Sequence, residues 1–448
     1  GVEYFRKGLK LYFEKHAYGN TVGNDLWEAL TLASGKDVAG FMDPWLTKSG
    51  FPLVTVSSTS DSISLTQEHF LVNTTEADAT RVWPVPLLGS DNTVPALLTT
   101  TETTFASSNP HAVRVNTGSV GHYIVRYADP NHASSVAALA TDKTLLPAER
   151  LMLLHDSSLI ARAGLASFLE TLQLLVHYKH EDSETVWDVL AIIIADARKF
   201  IDLDDSWEGD LKEFIADFIA IQYERLGWDE NAGDSASDKK LRAGIVGLGV
   251  YAEHPRAKAQ ALAAYELFRK DQSSISSELR SVTLGAAVRN DVSGAFEWLL
   301  ELEESTNNPD LKQELMGVLS LTKSTERIEL LLSRIMDSSK VRQHDIDTWL
   351  VYLMRSRYGR HMAWDWLRDN WSWIEKTFDG DKGYDSFPRY AASAFNTRDL
   401  LDEYVAFFEP KADDVALNRN IRLGIEELTS RVAWLEKDLA NVRGFFTK

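Results

Sequence analysis

Apolar residues in the first fifty positions recur at helical spacing. Phe5, Leu9, Tyr12 and Phe13 share one face of residues 2–18, with Arg6 and the lysines on the other. Asn24 or Asp25 can cap the next helix, "LWEALTLAS", which stops at Gly35, and Asp37 can cap a short helix through Trp45. The texture changes at "GFPLVTVSS". From 51 to 128 short runs rich in Val, Ile, Thr and aromatics follow one another: "FPLVTV", "SISLTQEHF", "RVWPVPLLG", "PALLTTTETTF", "HAVRVN" and "HYIVRY". Several alternate at period two, as at Val113/Val115 and Val125/Tyr127. This pattern predicts a small antiparallel β-sandwich. "NTGSVG" (116–121) turns one run into the next, and the prolines of "WPVP" place that run at an edge or a bulge.

From about 147 onward the period is 3.6. Pro147 suits the first turn of a helix, "AERLMLLHDSSLIARAG" follows it, and amphipathic segments then recur to the last residues across short polar connections. A dozen or more helices without a strand predict a curved array of stacked helix pairs, of the HEAT or armadillo kind. The fold class expected is therefore mainly α with one small all-β domain.

Composition narrows the function. Among 448 residues, 44% are hydrophobic and 10% aromatic, enough for buried cores in several domains. The net charge of −19 argues against a nucleic-acid partner, which needs a basic footprint. No apolar run approaches the roughly 20 residues that span a membrane, so no membrane partner is expected. The chain has no cysteine, which excludes disulfides, thiolate nucleophiles and Cys-based zinc sites; a reducing, cytoplasmic setting is the natural default. Two glycosylation-type tripeptides, Asn73-Thr74-Thr75 and Asn370-Trp371-Ser372, are read as chance occurrences.

A complete active site is not found. The two-histidine zinc helix H-E-x-x-H is absent: the single His-Glu pair is His180-Glu181, and position 184 is Glu. "GIVGLGV" (244–250) follows a helical start rather than a strand, so its glycines predict close helix packing and not a nucleotide loop. Trp364, Leu367 and Trp371 fall at helical spacing and read as core. One stretch stands out from the acidic background: "RSRYGRH", with Arg355, Arg357, Arg360 and His361 just before a helix. Guanidinium forks match carboxylates, and the first turn of a helix adds free N–H groups. These four are the candidate substrate-binding residues; the competing reading is a solvated basic turn.

The order of these parts resembles the C-terminal portion of the M1 (gluzincin) zinc aminopeptidases, over essentially the whole chain. "FRKGLKLYFEKHAYGNTVGNDLWEAL" resembles the end of that family's thermolysin-like catalytic domain. "MDPWLTKSGFPLVTV" resembles its exit into the β-sandwich third domain, with "WPVPL" and "VNTGSVGHYIVRY" as further landmarks. "LPAERLMLLHDSSLIARAG" resembles the start of the helical fourth domain, and "AWDWLRDNW" and "FNTRDLLDEYVAFF" its later part. The resemblance implies a tail of the catalytic domain over 1–50, the sandwich over 51–130 and the helical domain over 131–448. It implies that the G-x-M-E-N loop, the zinc ligands and the catalytic Tyr precede these residues, so that the chain is the back part of a larger enzyme. Zn2+ would belong to that parent, with no cofactor and no catalytic residue in this chain. Its partners would be the peptide substrate and the upstream catalytic domain. In the endoplasmic-reticulum members an Arg in the motif matching "LMRSRYGRHMAW" faces the internal cavity and meets the peptide C-terminus; that position is Arg355, while a companion Gln matches Ala394. The rival reading is a free-standing helical-repeat scaffold for protein–protein interaction.

Overall fold

A computed structural model describes residues 1–73 and 77–447; the tripeptide Asn73-Thr74-Thr75 extends outside the described residues. The chain divides into two compact units, Gly1–Ala163 and Gly164–Lys448.

The first unit opens with three helices, α1 (Val2–His16), α2 (Gly23–Ser34) and α3 (Val38–Thr47). The helices α1 and α2 cross at Gly8, where a Cβ would lie 2.6 Å from Leu30 Cδ2, so only glycine permits the approach. The outer face of α1 leaves Val2, Tyr4, Phe5 and Phe13 exposed. Among the described residues six strands follow: β1 (Phe51–Ser58), β2 (Ser62–Phe70), β3 (Val85–Pro86), β4 (Leu97–Leu98), β5 (Glu102–Ala106) and β6 (Ile124–Tyr127). They form a four-stranded sheet of order β5-β2-β1-β6 and a two-stranded sheet β3-β4. Pairing is antiparallel except between β1 and β6, which run parallel with Leu53 opposite Ile124. The expected all-antiparallel arrangement therefore fails at one edge. Burial in β2 alternates cleanly, with Ile63, Leu65, Gln67 and His69 turned inward against Trp83, Val85 and Leu98. "HAVRVN" is not a ladder strand: it is a 3-10 turn (Pro110–Ala112) followed by irregular chain that makes isolated backbone bonds, from the Ser90 N–H to the Arg114 carbonyl and from the Asn116 N–H to the Leu87 carbonyl, each at 2.8 Å. "RVWPVPLLG" contributes only two ladder residues, since each proline removes a donor. Two helices close the unit, α4 (Pro130–Thr141) and α5 (Pro147–Arg162). The first of these was not anticipated, although Asp129 accepts from the His132 N–H and Pro130 takes the first helical position.

The second unit is helical: α6 (Phe168–Leu175), α7 (Glu184–Lys199), α8 (Glu208–Leu226), α9 (Ala236–Tyr251), α10 (Pro255–Lys270), α11 (Ser277–Arg289), α12 (Ala295–Ser305), α13 (Pro309–Leu319), α14 (Thr325–Arg334), α15 (Ile346–Arg355), α16 (Arg360–Asp369), α17 (Trp371–Thr377), α18 (Ser386–Ala394), α19 (Arg398–Phe408) and α20 (Asn418–Phe446). One packing rule organises most of it. The helices α7, α9, α11, α13, α15 and α18 pack on one another in succession, while α8, α10 and α12 each pack on the helix that follows. The "GIVGLGV" glycines lie within α9, and Gly249 sits against Ala257 and Ile219, as close packing requires. Trp364, Leu367 and Trp371 are buried in the main core, and the Trp364 indole N–H donates to Glu403 at 2.9 Å. The C-terminal helix α20 touches α6 and α8 as well as α18 and α19.

Among the described residues no helix is long and apolar enough to cross a membrane.

Candidate functional site

The alternate helices α7, α9, α11, α13 and α15 all end at one edge of the helical unit, because each is followed by a short turn into a helix running back. A cavity of about 820 Å³ opens there. It is lined by the turns after these five helices and after α18, and by the first turns of α8, α10, α14 and α16. Helix C-termini carry partial negative charge, which favours basic residues in a last turn. The sequence supplies them: Arg198 and Lys199 in α7, Arg289 in α11, Arg355 in α15. The result is a wall with ten Lys and Arg side chains against four Asp and Glu, in a chain of net charge −19.

Three of the four residues singled out by sequence line this cavity, in different circumstances. Arg355 is exposed in the last turn of α15 and, among the described residues, has no carboxylate partner. Arg357 is paired with Asp205 at 3.0 Å and Glu208 at 2.9 Å. Arg360 is buried, bonded to Asp202 at 2.8 Å and donating through Nε to the Met354 carbonyl at 3.1 Å. Asp202 also accepts from the Asn396 amide at 2.7 Å, so Arg360 ties three turns of the wall together. His361 is exposed in the first turn of α16 and is not among the lining residues. Ala394 is buried at the end of α18.

Sequence reasoning missed Arg198, Arg289, Tyr251 and Lys323. The Arg198 guanidinium stacks on the Tyr251 ring at 3.7 Å. Arg289 is half-buried, and burial first, then the neighbouring Arg198, lowers its proton affinity; Tyr251 and Tyr358 oppose this. Burial raises the Tyr251 phenol pKa. The signal for this group was positional. Each arginine ends an alternate amphipathic segment ("DARKF", "AAVRND", "LMRSR"), which a motif search within one segment does not detect.

Metal chemistry has no matching donor set here. H-E-x-x-H is absent from the sequence, and among the described residues no three His, Asp or Glu side chains are grouped to hold an ion. Among the described residues no donor set fits a catalytic zinc.

Comparison with known proteins gives these parts their setting. Residues 112–430 match the ERAP1-like C-terminal domain, and residues 1–45 match the peptidase family M1 domain. Aminopeptidase N of Lactococcus lactis is 33% identical over 99% of the chain, which covers 53% of that protein. Alanine/arginine aminopeptidase of Saccharomyces cerevisiae is 24% identical over 98% of the chain and 52% of its own length. Glutamyl aminopeptidase of Homo sapiens is 24% identical over 99% of the chain and 48% of its own length. The chain thus spans about half the length of the curated relatives it matches. With its β strands, its helical array and the matched segments in the same order, the chain belongs to the M1 aminopeptidase family and carries that family's ERAP1-like C-terminal domain.

Proposed function

We propose that this chain is the non-catalytic C-terminal region of a zinc metallo-aminopeptidase that removes N-terminal amino acids from peptides, and that its helical unit receives the distal end of the peptide. Residues 1–50 then serve as the end of the catalytic domain, 51–130 as a β-sandwich and 131–448 as a HEAT-like bowl that closes over a zinc site upstream. The exposed apolar face of α1 supports a docking role toward that upstream domain. The cysteine-free composition supports a cytoplasmic setting.

The observation that carries the reading is the cationic cavity. A peptide C-terminus is a carboxylate, and carboxylates are what guanidinium forks recognise. Arg355 is assigned the contact. Arg357 and Arg360 shape the wall from their ion pairs, and His361 borders it.

In the whole protein, Arg355→Ala should lower kcat/KM for a free-acid peptide of about ten residues roughly ten-fold, the loss of one charge-assisted hydrogen bond. An amidated peptide and a single-residue reporter should be unaffected. Equal losses on all three substrates would remove the carboxylate role. The chain by itself should bind no stoichiometric zinc and hydrolyse no aminoacyl reporter. About one tightly bound zinc per chain, with chelator-sensitive activity, would overturn the non-catalytic reading.

A further inference from the structure

The cations of the cavity divide into two classes. Arg327 is held by Asp291 and Glu297, Arg357 by Asp205 and Glu208, Arg360 by Asp202, Lys199 by Asp196, and Lys212 by Glu208 and Glu253. Among the described residues Arg198, Arg289, Arg355, Lys258 and Lys323 have no carboxylate ion pair, although all five line the same cavity; of these only the three arginines carry the planar fork that matches a carboxylate. The three arginines come from the last turns of α7, α11 and α15, every second member of one packed row. Arg198 is braced flat against Tyr251, and Arg289 is half-buried and close enough to Arg198 to feel its charge.

A single carboxylate cannot satisfy this group. It offers about four lone-pair sites, whereas three guanidinium groups carry about fifteen N–H donors. One bidentate partner engages one arginine and leaves two like charges facing each other in a partly desolvated pocket, which is unfavourable. The helix C-termini behind them supply only fractional negative charge. The ligand that balances the site brings at least two anionic groups.

We infer that the cavity selects ligand ends carrying two anionic groups, which for a peptide means an acidic C-terminal residue: its α-carboxylate and its side-chain carboxylate together. This rests on the peptide-end reading above and sharpens it. Arg355, the exposed member of the three, takes the α-carboxylate. Arg289 and Arg198 take the second anion. The same chemistry fits a free small dianion, and the test separates the two sources.

Four fluorescently labelled ten-residue peptides are titrated into this chain by anisotropy: one sequence ending in Ala or in Asp, each as free acid and as amide. The free acid ending in Asp should bind about ten-fold tighter than the one ending in Ala, the factor that about 1.4 kcal/mol supplies. Arg289→Gln and, independently, Arg198→Gln should abolish that preference while keeping the difference between free acid and amide. Circular dichroism confirms that each variant is folded, and either variant alone suffices. Equal binding of the Asp and Ala free acids, with the amides still weaker, would overturn this inference and leave the peptide-end reading standing. Indifference to amidation in all four peptides would overturn both. Succinate or pyrophosphate binding more tightly than the Asp peptide would assign the site to a free dianion and overturn the peptide preference.

Discussion

The two units lean on different partners for their buried polar side chains. In the first, strands are short and interrupted, and side chains replace the missing ladder. Gln67 donates to the carbonyls of Trp83 at 3.0 Å and Thr100 at 2.9 Å, and accepts from the Trp83 N–H at 2.9 Å. His132 bonds the Val113 carbonyl at 2.7 Å, the Tyr123 hydroxyl donates to Leu87 O at 2.7 Å, and Asp156 accepts from the Val125 N–H at 2.9 Å. In the second unit the helices satisfy most of their own backbone, and many polar side chains pair with each other: Arg280 with Glu314, Arg334 with Glu303, Arg360 with Asp202. The difference decides where a charged site can be built. A side chain whose polar atoms are all committed to backbone cannot also serve a ligand, whereas this helical array leaves three cavity arginines without a carboxylate partner among the described residues.

The largest expected effect that tests this contrast is at Gln67. Gln67→Leu strands a buried N–H and two buried carbonyls that no second substitution can remove, and should cost about 3 kcal/mol or more in urea unfolding of the chain. A loss below about 1 kcal/mol would show that the first unit does not depend on such bonds. Next comes the bidentate pair of Arg280 with Glu314, at 2.7 Å for each bond. Either residue changed singly to Leu should cost about 2 kcal/mol, and the double change should recover to within about 1 kcal/mol of the original, because both polar partners leave together. Failure to recover would mean that the helical unit depends on its polar pairs as strictly as the first unit depends on Gln67.

How far this organisation was legible depends on where each bond partner sits. Helical segments were readable because their apolar period is a local property, and even the boundary glycines and prolines fall where expected. The strand region was readable in texture but not in pairing. Whether "HAVRVN" forms a ladder depends on a partner distant in sequence, and the parallel alignment of β6 with β1 has no local signature. The candidate site was half-legible. "RSRYGRH" is one contiguous cluster, so it could be found, but its three lining arginines proved unequal, two of them absorbed by Asp202, Asp205 and Glu208. Arg198 and Arg289 join Arg355 only through the stacking of alternate helices.

A smaller effect concerns Asp156. Its burial holds the carboxyl pKa above the ordinary 3.8, opposed by His155 and by the bond from the Val125 N–H. Glu149 lies on the same helix, and Tyr123 and Tyr127 both feel the charge of Asp156. A raised folded-state value means that the stability contribution is complete below the unfolded value near 3.8 and is lost as pH rises through the folded value. Asp156→Asn should therefore raise Tm by about 3 °C at pH 7, with the gain vanishing below pH of about 4. A gain independent of pH would assign the effect to packing. The smallest effect is at Arg289. Removing a charge without a carboxylate partner, Arg289→Gln should leave stability unchanged or raise it by less than about 1 kcal/mol at low salt. A clear destabilisation would mean that Arg289 supports the fold and is not held in reserve for a ligand.

Helix α20 has a consequence for how the array comes apart. Stacked arrays with nearest-neighbour contacts alone unzip from their ends, one repeat at a time. Here the final helix lies against the earliest members of the row as well as the latest. Trp434 meets Phe168 and Phe200 at ring distances of 5.2 Å, and Phe446 stacks on Trp207 at 5.5 Å. Asp438 accepts from the Phe168 N–H at 2.9 Å, capping α6 from 270 residues away. A row whose last element grips its first has no free end from which to fray. Amide exchange in this unit should then proceed by one concerted opening, with protection in α6 and α7 as high as in α18, and the arginines that end α7, α11 and α15 kept in register until the whole unit opens.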